Sequence, residues 1–270
     1  MASQTPAAAA PAVTVVTASD VVIDNLCVRT PERELLRGVS ATLPGHEVTA
    51  LVGSTGSGKT TLLRALNRLH DSNPAISVSG QVQLGNVDIY RDVRNVREVR
   101  RRIGMVFQRP NPFPQSVIDN ITIGLRSHGL ARGGQARDAA RGALVDVGLW
   151  DEVKDRLNSS PFNLSGGQQQ LLCLARALAV QPDALLLDEP TSSLDPGTTQ
   201  HIEELIRGLS ERMTIVLVTH NLQQARRVAH RVLFLAAGEL VESASATDFF
   251  ERPTDPRSRA YVAGVLGSAT

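Results

Sequence analysis

The chain has 270 residues, of which 42% are hydrophobic and 20% charged, and a formal net charge of +1. That length suits one large domain or two lobes, and the near-neutral charge argues against a dedicated nucleic-acid binder. No stretch approaches the ~18 consecutive apolar residues of a spanning helix, so partners must hold the protein at any membrane where it works.

In chain order, residues 1–19 are rich in Ala and Thr, lack a positive start and are broken by Pro6 and Pro11. They read as a disordered tail rather than a signal peptide. Asp20–Leu43 and Ser77–Ile89 read as short antiparallel strands, turning near Thr30-Pro31 and Leu84-Gly85-Asn86. Val48–Val52 reads as a buried strand leading into a glycine loop and a helix through Leu62, Leu63 and Leu66. Ile103–Phe107, Ala184–Leu187 and Thr214–Thr219 are further strands, and Ser165–Val180 and Thr199–Arg212 are helices. Strands separated by helices imply a mostly parallel sheet covered on both faces. Between Gln108 and Pro161 helix-like segments dominate, split by His128–Gly134. The expected class is therefore α/β: a core domain over 20–250 with an antiparallel β layer and an inserted helical subdomain at about 108–180, then a C-terminal extension over 251–270. The Arg97–Arg102 run reads as a solvated face. Cys27 and Cys173 have apolar neighbours and no CxxC spacing, and read as buried free thiols.

Gly53-Ser54-Thr55-Gly56-Ser57-Gly58-Lys59-Thr60, followed by Thr61, fits G-x-x-x-x-G-K-[ST] between a strand and a helix. Glycines in such a loop let backbone N–H groups converge on phosphate oxygens, and the helix that follows aims its positive end at the same anion. Lys59 can reach the β- and γ-phosphates, and Thr60 offers a hydroxyl to Mg2+. Ala184–Glu189 is an apolar strand ending in two acids, and open parallel sheets deliver strand C-termini to the ligand edge. Asp188 would hold the metal, and Glu189 would orient and deprotonate the attacking water.

Leu164-Ser-Gly-Gly-Gln168 resembles the signature of ABC-type ATPases, and Asp188–Asp195 resembles their Walker B segment and D-loop. Phe107-Gln108 resembles the Q-loop and Thr219-His220-Asn221 the switch histidine, all in the family's order. The match covers nearly everything from Asp20 onward and implies a P-loop NTPase fold of the ABC nucleotide-binding type. Ser165 and Gln168 also form an S-x-x-Q capping box, which is compatible with a signature that offers backbone donors to an anion. The resemblance implies a head-to-tail homodimer in which Ser165, Gly166, Gly167 and Gln168 of one copy complete the ATP site of the other. It also implies that Gln108 senses Mg2+ and the water, that His220 contacts the γ-phosphate, and that Asp195 bridges the dimer.

Arg101–Pro114, Ser116–Asn120, Leu149–Arg156, Ser165–Gln170, His220–Ala225 and Tyr261–Gly264 are similar to the ATPase of bacterial phosphate importers. The likeness implies two transmembrane permease subunits, an extracytoplasmic phosphate-binding protein and a peripheral position on the cytoplasmic face of the membrane, with no nucleic acid as partner. Another solute (phosphonate or a polar amino acid) and a soluble, non-transporting ABC ATPase are the alternatives. Three positions depart from the family pattern. No aromatic residue occurs in Arg29–Arg33 to stack on adenine, leaving the plane of Arg29 or Arg33 as a substitute. Leu171 stands where an arginine is common, so a polar contact near the site is weakened. Val265 and Leu266 replace a basic–aromatic pair.

Overall fold

The computed structural model describes residues 20–266, with the side chains of Val265 and Leu266 outside the description. The tail expected over 1–19 and the departure at Val265 and Leu266 thus fall outside the described structure.

The chain opens with β1 (Val21–Arg29), β2 (Glu34–Leu43), β3 (Val48–Val52), α1 (Lys59–Leu66), β4 (Ser77–Leu84) and β5 (Val87–Asp88). α2 (Val96–Arg102) and β6 (Ile103–Val106) follow, then a run of helices: α3 (Val117–Ser127), α4 (Gly133–Asp146), α5 (Trp150–Val153) and α6 (Gly166–Ala179). The chain returns through β7 (Ala184–Asp188), α7 (Pro196–Ser210), β8 (Thr214–Val218), α8 (Leu222–Val228), β9 (Arg231–Ala236), β10 (Glu239–Ser245), α9 (Ala246–Glu251) and α10 (Pro256–Leu266).

Two sheets result. The first is antiparallel in the order β2-β1-β4-β5, and the second runs β10-β9-β3-β8-β7-β6. In the second every pairing is parallel except that of β9 with β10. β3, β7 and β8 are buried at every position, which explains their continuous apolar sequences. Both the α/β core and the antiparallel layer expected from the sequence are present. The β9–β10 hairpin was not foreseen. Its turn, Ala237-Gly238, takes φ of 50° and 84°, the left-handed pair that a two-residue hairpin needs.

Buried residues of α3, α4 and α6 form one core with β7 and β8, while β1, β2, β4 and α1 build a second against the sheet's other face. Leu171 belongs to the first core at 5% exposure. The loss of a polar contact inferred for it is therefore corrected: the position points inward, where burying a leucine contributes about 2 kcal/mol. The solvated-face reading of Arg97–Arg102 is corrected for Arg100, Arg101 and Arg102, while Arg97 is exposed as expected. Arg100 donates to the Arg68 carbonyl (3.0 Å), Arg101 is paired with Glu98 (2.8 Å) and Arg102 with Asp183 (2.6 Å), all half-buried. Cationic ends reach fixed acceptors while the stems pack against the core. Both cysteines are free thiols. Cys173 is buried as expected, whereas Cys27 is only half-buried and its Sγ accepts from the Gly38 N–H (3.2 Å).

Candidate functional site

The strand order sets the site. β8 lies between β3 and β7, so the C-terminal ends of all three open on one edge of the sheet. β3 delivers residues 53–58 there, β7 delivers Asp188 and Glu189, and β8 delivers Thr219 and His220. α1 starts at Lys59 without a side-chain cap, leaving its first N–H groups to serve as donors. Gly53 takes φ 149°, and a side chain there would collide with the Leu235 carbonyl. Only glycine lets the loop turn this close to β9.

Lys59 is 8% exposed, and its ammonium donates to the carbonyls of Gly53 (2.8 Å) and Ser54 (2.9 Å). Burial lowers its pKa, opposed by the charges of Glu189 and Asp188. The Thr60 hydroxyl donates to Asp188 Oδ1 at 3.4 Å. Burial first and Glu189 second raise the Asp188 pKa, against the Thr60 hydrogen bond, Arg64 and Lys59.

Glu189 holds φ 46°, a left-handed conformation that costs a non-glycine residue on the order of 1 kcal/mol. Its N–H is secured by the Val218 carbonyl (3.0 Å). Gln108 Nε2 donates to Glu189 Oε2 (3.1 Å) and Ser192 Oγ (3.3 Å), and His220 Nδ1 lies 2.9 Å from the same Oε2. The structure thus brings together all three residues read as catalytic.

It does not bring the signature to them. A cavity of about 460 Å³ is lined by Arg33, Arg37, Thr55, Lys59, Thr60 and Glu189 among others, and a second of about 310 Å³ by Glu189, Ser192, His220 and Gln224. Ser165, Gly166, Gly167, Gln168 and Asp195 line neither. Ser165 and Gln168 close the capping box of α6, at 3.3 and 3.0 Å, and the Gln168 amide also bonds Glu152. Asp195 caps α7, accepting from Thr198 N–H (3.0 Å) and Oγ1 (2.6 Å). These bonds, the side-chain one foremost, lower its pKa. A Cβ added at Gly167 would stand 2.9 Å from Thr198, so the signature and that cap lie against each other.

The base-stacking candidates separate. Arg29 is held by Glu34 at 2.6 Å, whereas Arg33 lines the phosphate-loop cavity. Leu35 and Arg37 line it too and were not singled out from the sequence. Gln170 was also missed. It is 1% exposed, and its amide donates to the carbonyls of Phe107 and Pro190, both at 3.1 Å, tying the segment before Gln108 to the one after Glu189. The glutamine run of 168–170 marks the residue but not its partners, which are main-chain atoms.

The residues fit a nucleotide with a divalent cation. Ser57 Oγ, in the loop before α1, is buried without a partner among the described residues. Thr60 and Asp188 are hard oxygen donors, and the described residues contain no cluster of three His, Cys, Asp or Glu. Mg2+ suits such a place, since it takes one or two protein oxygens and shares the rest with phosphates and water.

The family model for ABC transporters matches residues 36–192. The chain belongs to the ABC transporter family. Among its relatives, Phosphate import ATP-binding protein PstB 2 of Mycobacterium tuberculosis is 52% identical over 243 residues, 90% of this chain and 88% of that one. Phosphate import ATP-binding protein PstB 1 of Bacillus licheniformis is 44% identical over 257 residues, covering 95% and 99% of the two chains. A solved ABC family structure, a bacterial Atm1-family exporter with ATP bound, superposes with TM-score 0.78 at 26% identity, over 95% of this chain and 43% of the exporter chain.

Proposed function

We propose that this chain is the ATP-hydrolysing subunit of an importer of inorganic phosphate. The observation that carries the hydrolytic half is the meeting of Lys59, Thr60, Asp188, Glu189, Gln108 and His220 on one sheet edge. The cargo rests on relatives named for phosphate import that match nine-tenths of the chain.

Backbone donors of the loop and the α1 N-terminus would cradle the phosphates of ATP, with Lys59 exchanging its two carbonyl contacts for phosphate oxygens. Thr60 and Asp188 would hold Mg2+, with Gln108 beside them; when bound, the ion neutralises charge on the β- and γ-phosphates. Glu189 Oε2 takes the proton of the attacking water, and Gln108 and His220 hold that carboxylate from two sides. Arg33 or Arg37 would meet the base in place of an aromatic ring.

Each site is finished by a second copy, whose Ser165, Gly166, Gly167 and Gln168 face the γ-phosphate while its Asp195 lies at the dimer contact. The exposure of the signature and its separation from the loop within one chain support this arrangement. Each of the two permease subunits would dock on one copy, in a groove of about 510 Å³ where α2 and β6 meet α3 and α6. Met105, Phe113, Ile123 and Val180 supply its apolar floor, with Arg97 and Arg101 at its sides. No described helix is long and apolar enough to cross a membrane. Attachment to the cytoplasmic face through those subunits, with a phosphate-binding protein on the far side, completes the machine.

The test is reconstitution with the permease subunits in vesicles and hydrolysis assays with phosphate, phosphonate and amino-acid binding proteins in turn. Stimulation by the phosphate-loaded protein alone is the expected result, and stimulation by another loaded protein instead would reassign the cargo.

A further inference from the structure

The C-terminal helix reaches the phosphate loop. The Gly53 N–H donates to the Tyr261 hydroxyl oxygen at 3.2 Å, across 208 residues of sequence. Gly53 is pinned from the other side as well, because its carbonyl accepts from Lys59 Nζ at 2.8 Å. One residue, through the two peptides on either side of its Cα, therefore links α10 to the lysine that faces the phosphates.

Several independent contacts hold the phenol in place. The Tyr261 ring stacks on Phe234 with centroids 4.7 Å apart and planes 19° from parallel. Phe234 pairs in register with Val52, the residue before Gly53. Upstream of α10 the nearly buried Glu242 carboxylate accepts from Thr254 N–H (2.9 Å), Thr254 Oγ1 (2.9 Å) and Asp255 N–H (3.2 Å), fixing the start of the helix. Val262, next in the chain, is buried with Phe249, Phe250 and Leu222.

We infer that Tyr261 is a positioning residue of the ATP site, its hydroxyl setting the Gly53 peptide and, through it, the phosphate loop and Lys59. The C-terminal helix is thereby part of the nucleotide site rather than an appendage. Removing the hydroxyl while keeping the ring frees the Gly53 amide and leaves the packing of α10 unchanged. The loop must then be ordered by the nucleotide itself, so the cost falls on binding.

The experiment compares Tyr261→Phe and Tyr261→Ala with wild type in the full-length chain, measuring ATPase kinetics, ATP affinity and the thermal midpoint with and without nucleotide. Tyr261→Phe should raise KM and Kd for ATP by about two- to tenfold, the worth of one hydrogen bond. Its kcat and its nucleotide-free midpoint should stay at wild-type values. Tyr261→Ala should show the same KM change with a lower midpoint added. An unchanged KM and Kd in Tyr261→Phe overturns the inference, as does a loss that follows only the midpoint. The inference rests on reading residues 53–60 as the phosphate loop, so Lys59→Ala is run alongside. Full activity in Lys59→Ala would sink that reading, whereas its inactivation beside a wild-type-like Tyr261→Phe would remove only the role of Tyr261.

Discussion

Two regions of this chain, the sheet edge and the start of α6, are built on opposite plans. At the sheet edge each side chain already has a partner within a single copy: Lys59 on the Gly53 and Ser54 carbonyls, Thr60 on Asp188, and Gln108 and His220 on Glu189. At the start of α6 the signature commits the Ser165 and Gln168 side chains to its own helix cap and to Glu152, sets Gly167 close to Thr198, and leaves Ser165 and Gly166 exposed. The first region is the proposed reaction centre, whose present hydrogen bonds a nucleotide would reorganise. The second is a rigid presenting surface with nothing of its own to react with. Under the proposed function, a site divided this way would be switched on by bringing two copies together rather than by rearranging one.

The largest effect should come from breaking the reaction centre alone. Glu189→Gln keeps the size of the side chain but removes the base, and turnover should fall by about 10²–10⁴-fold while ATP binding survives. An ATP-dependent dimer on size-exclusion chromatography would mark the trapped state, and unchanged turnover would take the base role from Glu189.

Mixing variants sharpens the division between the regions. Lys59→Ala disables the edge and Ser165→Ala the presenting surface, and each alone should lose about 10²-fold or more in hydrolysis. Mixed, they form some dimers in which one site has both halves intact, so activity should return. A mixture as inactive as its parts would show that both residues act in the same copy.

Smaller effects test how the edge is braced. Gln170→Leu strips two buried carbonyls of their donor, costing about 1–3 kcal/mol and lowering the thermal midpoint by several degrees. The signature cap should be unaffected, because its bonds are local. A stable variant with normal kcat would deny Gln170 its bracing role.

The smallest effect is electrostatic and opposite in sign. The folded chain holds the Asp188 proton more tightly than the unfolded chain does, because burial and Glu189 raise its pKa. Ionising it therefore costs stability as pH rises through the acid range. Asp188→Asn should raise the midpoint of the nucleotide-free chain at neutral pH, with the gain fading as the pH falls toward about 4, while hydrolysis is lost. A midpoint that falls at neutral pH would show the carboxylate to be a net stabiliser.

The phosphate loop and the acid pair were legible because each sits at the end of an apolar strand and carries its chemistry in contiguous residues. The signature was legible because its residues are contiguous too, down to the capping box found at Ser165 and Gln168 at the start of α6. The arginine run misled because a count of charges carries no information about acceptors such as the Arg68 carbonyl or Asp183, 81 residues from Arg102. Leu171 misled because comparison by position alone left out which way α6 faces.

By itself, then, the sequence determined the parallel α/β core and placed the glycine loop and the acid pair at strand ends, since periodicity and motif spacing are local properties of the chain. Only the tertiary structure decided which atoms meet. It placed Gln108 and His220 on one oxygen of Glu189, set Gln170 between two carbonyls and brought Tyr261 to Gly53. The physical reason is that a hydrogen bond to a main-chain atom, or across scores of residues, constrains direction and distance without demanding any particular neighbour in sequence.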